Sequence, residues 1–153
     1  MSEDQKAIDI EAAKQALLSG QSLIEHLGLP AELPKVLYAV AQLHVSAARF
    51  SEAKQACLEL AALDPRMPEV WRLLGNCYAR DGEFVEALEA WSHALHLKPD
   101  YALALEVTRT AVALQDEVSA WVGFNALRNH ATSPEQQDRC AEIKRSLLAM
   151  GEV

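Results

Sequence analysis

The feature that most constrains this chain is a stretch that occurs twice in register. Pro68 to Asp100 reads PEVWRLLGNCYARDGEFVEALEAWSHALHLKPD. Trp71, Leu74 and Tyr78 recur at spacings of three and four, which puts them on one face of a first helix. Gly75 lies within that stripe and lacks a Cβ, so a second helix can approach closely there. Asp81-Gly82 breaks the first helix. Leu88, Trp91 and Leu95 stripe a second helix, which Lys98-Pro99-Asp100 stops. Counting back 34 residues gives a second copy, from Pro34 to Met67. There Leu37, Val40, Ala41 and His44 replace Trp71, Leu74, Gly75 and Tyr78, while Ala53 and Cys57 replace Ala87 and Trp91. Phe50 and Phe84 each open a second helix with a Phe-x-Glu-Ala string. A helical hairpin this short cannot bury its apolar faces alone and needs stacked neighbours.

The spacing W-x2-L-G-x2-Y, followed by Ala, an aromatic and a closing Pro, resembles the tetratricopeptide repeat (TPR). The expected fold is all-α, a TPR helical-hairpin solenoid of about three repeats, as one domain over 1–153. Its segments are an N-terminal helical part at 1–33, repeats at 34–67 and 68–101, a degenerate third repeat at 102–132, and a capping helix at 133–150. The hairpins should pair 36–47 with 51–62, 68–80 with 84–96, and 102–114 with 117–129. In the third copy Arg109 stands where the small residue belongs, and the turn at Gln115-Asp116 is one residue shorter. Ala120, Phe124 and Leu127 then fall into step with Ala87, Trp91 and Ala94. Ser133, Pro134 and Gln136 sign the start of a last helix, striped by Cys140, Ile143, Leu147 and Leu148. Residues 3–18 suggest an amphipathic helix with a thin stripe of Ala7, Ile10, Lys14 and Leu17. Such a stripe suits either a cap on the array or pairing with a second copy. Ser22 to Leu27 forms a short further helix, halted by Gly28 and Pro30.

Charge narrows the partners. A net charge of −8 argues against nucleic acid and against an anionic membrane surface. No apolar run is long enough to insert into a bilayer, and acidic residues stand where a leader would be basic, so a cytoplasmic location is expected. Cys57, Cys77 and Cys140 are odd in number and widely spaced, which fits reduced, partly buried thiols rather than a disulfide or zinc site. His93 and His96 form the only close histidine pair, and no second motif joins them to make a metal site. No phosphate loop, nucleophile elbow or Cys-His arrangement appears. The chain is expected to be no enzyme, with no catalytic residue, cofactor or metal.

The remaining candidate is the concave groove of a TPR array, lined by first-helix residues off the packing stripe. In the first repeat these are Lys35, Tyr38, Gln42 and Val45. In the second they are Glu69, Arg72, Asn76 and Ala79, and in the third Leu103, Glu106 and Thr110. Tyr38, Gln42, Val45, Arg72, Asn76, Glu106 and Thr110 are the chosen peptide-binding residues. Amides meet an extended backbone, and apolar pockets take alternate side chains. The plainer alternative is a solvated polar face. Only Asn76 is placed for a carboxylate clamp, so that variant of TPR binding does not fit.

The order of parts also resembles one family, the class II chaperones of bacterial type III secretion. The residues that carry this are Ser19-Gly20-Gln21-Ser22-Leu23 and Leu37-Tyr38-Ala39, ahead of three repeats and a final helix. Trp71, the Lys-Pro-Asp stop and the lack of a Cys-rich string in the third repeat depart from the family's usual look. The resemblance implies a passive bacterial cytoplasmic chaperone that holds a hydrophobic translocator-type client through an extended segment in the groove. It also implies contacts from Tyr38 and Phe50, and a homodimer through the N-terminal helix. A general TPR scaffold or assembly adaptor is the alternative, and a regulatory enzyme subunit the third.

Overall fold

The computed structural model describes Ser19 and residues 22–151. The amphipathic helix expected at 3–18 lies outside the described residues. Among the described residues there are eight helices and no strand. The chain forms two compact units, residues 1–66 and 67–153.

The first unit contains α1 (Leu23–His26), α2 (Leu33–Ser46) and α3 (Phe50–Leu63). Ser22 caps α1 by accepting from the Glu25 amide, and Gly28 takes a left-handed φ of 63° just beyond its end. Pro34 sits in the first turn of α2, where no amide hydrogen is required. The α2–α3 hairpin is the first repeat. Its core is built from small side chains: Ala41, Ala53, Cys57 and Ala61 are buried beside Leu60 and, from α1, Ile24.

The second unit contains α4 (Pro68–Arg80), α5 (Phe84–Leu97), α6 (Tyr101–Ala113), α7 (Glu117–His130) and α8 (Pro134–Met150). Helices α4 and α5 form one antiparallel hairpin, and α6 and α7 the next. Every hairpin helix begins and ends within about three residues of the sequence expectation. Leu88, Trp91, Leu95, Leu103, Val107 and Phe124 belong to one continuous core, with Trp71 and Tyr78 packed on it half-buried. A Cβ on Gly75 would overlap the Trp91 indole, so the close approach read from the sequence is real. The third repeat reaches the same end by another route. The connection before α6 is one residue shorter than that before α4, so Thr108 and not the exposed Arg109 takes the place of Gly75, and the glycine stands opposite at Gly123, where an added Cβ would come 2.7 Å from Thr108 Oγ1. Helix α8 opens on a reciprocal cap: Ser133 Oγ accepts from the Gln136 amide, and Gln136 Oε1 from the Ser133 amide, each at 3.2 Å.

Candidate peptide-binding site

In the first unit Tyr38, Gln42 and Val45 follow one another at helical spacing along α2. Tyr38 and Val45 are half-buried and Gln42 is exposed. Lys35, one turn earlier, is exposed and pairs with Glu32 at 3.2 Å. Away from this strip the hairpin holds a feature the sequence reading missed. Leu37, Val40 and His44 of α2 and Ala56, Leu60 and Leu63 of α3 line an open groove of about 500 Å³, rimmed by Glu52, Gln55 and Glu59. The packing of this hairpin differs from that of the second repeat. Cys57 stands where the second repeat has Trp91, and Val40, the counterpart of fully buried Leu74, remains 42% exposed. Val36 and Leu43 are exposed as well.

In the second unit the structure brings Arg72 and Asn76 onto one face of α4, and Glu106 and Thr110 onto one face of α6. Two of these have internal partners. Arg72 Nη1 lies 2.8 Å from Asp100 Oδ2, and the same carboxylate caps α6 by accepting from the Leu103 amide at 2.8 Å. Burial pushes the Asp100 carboxyl up, but the Leu103 amide and the Arg72 guanidinium outweigh it and leave it below the usual carboxylate range. Asn76 Oδ1 accepts from Trp91 Nε1 at 3.0 Å, so its amide nitrogen is the part that faces outward for a ligand. Glu106 is exposed and Thr110 half-buried.

Leu103 is not a groove residue. It is 3% exposed and packs in the core, because the connection before α6 is one residue shorter and Leu103 takes the place of buried Val70 in α4. Ala79 is also drawn against the core, half-buried. His93 stacks on Trp71 with ring centroids 4.5 Å apart, and His96 lines a shallow hollow between α5 and the start of α7 with Asp116 and Ser119. Among the described residues, no group of three or more His, Cys, Asp or Glu is placed to hold a metal ion. Cys57, Cys77 and Cys140 are buried free thiols. Among the described residues no helix is long and apolar enough to cross a membrane.

Comparison with known proteins adds the following. Residues 68–101 match the tetratricopeptide repeat family. One curated relative is transcription factor tau subunit sfc4 of Schizosaccharomyces pombe, 26% identical over 119 residues. That match covers 74% of this chain, and the chain spans only 11% of that subunit's length. Among solved structures, a T3SS complex from Aeromonas hydrophila matches 93% of this chain and 96% of its own, with a TM-score of 0.68 and 19% identity. The type III secretion chaperone SycD of Yersinia enterocolitica, in complex with a peptide of the translocator YopD, matches 80% of this chain and 95% of its own (TM-score 0.60, 16% identity). PcrH of Pseudomonas aeruginosa, in complex with the chaperone-binding region of PopD, matches 82% and 96% (TM-score 0.60, 22% identity). SycD also has a structure described as an alternative dimer. The chain therefore carries a TPR and has the all-α fold of the type III secretion translocator chaperones.

Proposed function

We propose that this protein is a non-catalytic chaperone that binds an extended, mainly apolar segment of a secreted translocator-type client. The observation that carries the proposal is the fold match to SycD and PcrH, whose structures hold translocator segments, across nearly the whole of those chains. Client contacts are assigned to Tyr38, Gln42 and Val45 in the first unit and to Arg72, Asn76, Glu106 and Thr110 in the second. The apolar groove of the first unit, lined by Leu37, Val40 and Leu60, supports this, since a membrane-active segment brings side chains that need such cover. The mechanism is passive: binding removes apolar surface from water, and release needs no bond to be made or broken. A homodimer through the N-terminal segment belongs to the same proposal. Removing residues 1–20 is expected to reduce the solution mass to that of a monomer while the helical content of the repeats persists.

The test is co-expression with candidate translocators, followed by purification on a tag carried by this chain. A translocator recovered in stoichiometric amount supports the proposal. The match to the tau subunit favours a second reading, a TPR scaffold that joins folded partners. A scaffold would bind a folded domain and ignore a short synthetic peptide, whereas the chaperone binds the isolated segment.

A further inference from the structure

Helix α8 begins like α4: both open on Pro-Glu, at Pro134 and at Pro68. Aligned from those prolines, Gln137, Cys140, Ala141 and Lys144 stand where α4 has Trp71, Leu74, Gly75 and Tyr78. In α4 this stripe receives the second helix of the hairpin, with Trp91 seated on Gly75. In α6 the matching Ala104, Val107, Thr108 and Ala111 are buried, with Gly123 of α7 against Thr108. Helix α8 has no such second helix following it within the described residues. Its stripe instead forms one side of a notch of about 230 Å³, with Phe124 and Arg128 of α7 and Ala131 just beyond its end on the other.

The chemistry of the notch says what would cover it. Its floor is apolar, from Phe124, Ala131, Cys140 and Ala141, and its size suits one large side chain. Arg128 and Lys144 flank that floor, and neither forms an ion pair among the described residues. Residues 117–151 hold four Lys and Arg against four Asp and Glu, zero net charge in a chain of −8. The signature aromatics at the stripe's ends are thus replaced by an amide and a cation, which ask for a polar and acidic counterpart.

We propose that the notch between α7 and α8 binds an amphipathic helix of a partner protein, which completes a fourth hairpin. That helix places one aliphatic side chain over Ala141, whose Cβ excludes the indole that Gly75 admits, and a carboxylate about one turn away, facing Arg128 and Lys144. The site is distinct from the first-helix faces assigned to the client segment and goes beyond that assignment.

The probe is a hydrocarbon-stapled, fluorescein-labelled peptide copying residues 84–97, the protein's own second helix, with Glu in place of Ala87 and Leu in place of Trp91, so that the side chain over Ala141 clears its Cβ. In the hairpin, Ala87 lies toward the turn, at the end of the stripe that Lys144 occupies in α8. Fluorescence anisotropy should show saturable binding to the full chain, about fivefold weaker for a peptide with Gln at that position. The Ala141→Phe variant, which fills the notch from an exposed position, should weaken binding at least about tenfold. Reversing both cations with Arg128→Glu and Lys144→Glu should invert the preference between the two peptides. Tyr38→Ala should leave this binding unchanged, which separates it from failure of the client assignment. Circular dichroism confirms that each variant folds. Absence of saturable binding to the parent, or equal binding by Ala141→Phe, overturns the proposal. So does self-association of the parent that Ala141→Phe abolishes in sedimentation, since the occupant would then be a second copy.

Discussion

At the scale of single residues, Gly75 and Trp91 act as a pair. The indole lies over the missing Cβ and donates its N–H to Asn76, so it contributes both packing and a hydrogen bond at one point of contact. Trp91→Ala should cost about 3–5 kcal/mol, as removal of a buried aromatic does. Gly75→Leu should cost about 1–3 kcal/mol or more, because the rigid indole cannot withdraw without opening the hairpin. Chemical denaturation measures both, and midpoints equal to the parent's would show that the two residues do not pack as described. The helix-capping carboxylates make a second residue-scale prediction. Hydrogen bonds from the Ser119 hydroxyl and amide hold Asp116 below the usual carboxylate range, and Asp100 also lies below it. A carboxyl depressed in the folded state contributes stability that is present above its unfolded pKa of about 4 and lost as pH falls through the folded value. Asp116→Asn should therefore flatten the loss of stability below about pH 4 while leaving its slope near neutrality unchanged. An acid limb as steep as the parent's would assign that loss to other groups.

At the scale of elements, the three hairpins turn on a shared conformation. Ala48, Gly82 and Gln115 follow the first helices with left-handed φ values of 59°, 78° and 59°. Only the second repeat uses glycine, the residue for which that region carries no Cβ penalty. Ala48→Gly and Gln115→Gly should each raise stability by about 0.5–1 kcal/mol, read as a shift in melting temperature. An unchanged or lower temperature would mean that the added freedom of the unfolded chain cancels the relief. The same turns show what the sequence could disclose. Gly82 announces its turn, but the shortening expected at Gln115 is not there: residues 114–116 match 81–83 in number, and the missing residue lies in the connection at 98–100, against 64–67 one repeat earlier. The strain at Ala48 was hidden too, because alanine signals helix. The packing stripes were legible because a period of three and four survives substitution. Leu103 was misplaced because the shorter connection before α6 moves the register by one, which makes it the counterpart of buried Val70 and not of exposed Glu69. The internal bonds of Arg72 and Asn76 were likewise hidden, since Asp100 and Trp91 come to them through the fold rather than through spacing.

At the scale of the whole molecule, the proposed client contact has to be separated from the contacts that keep the helices in place. Tyr38 permits this. It is half-buried on α2 and lies off the stripe of Leu37, Val40 and His44 that lines the apolar groove. Tyr38→Ala should weaken binding of an isolated client segment by about 1–3 kcal/mol, the range for an aromatic at the centre of a contact. Arg72 demands more care. Reversing its charge would also place a second acid against Asp100, which caps α6, so a weaker complex could reflect a frayed helix. Arg72→Gln removes the charge without adding repulsion, and Asp100→Asn removes the pair from the other side while leaving the guanidinium free. If Arg72 anchors the client, Arg72→Gln weakens binding, whereas Asp100→Asn leaves it unchanged or strengthens it. If Arg72 serves only the cap, both substitutions lower the melting temperature by similar small amounts, consistent with an exposed pair worth about 0.2–1 kcal/mol, and neither moves the affinity. Calorimetry with a synthetic client segment, with circular dichroism on each variant, reads both quantities. Affinity unchanged by both Tyr38→Ala and Arg72→Gln would remove the first-helix faces from client binding.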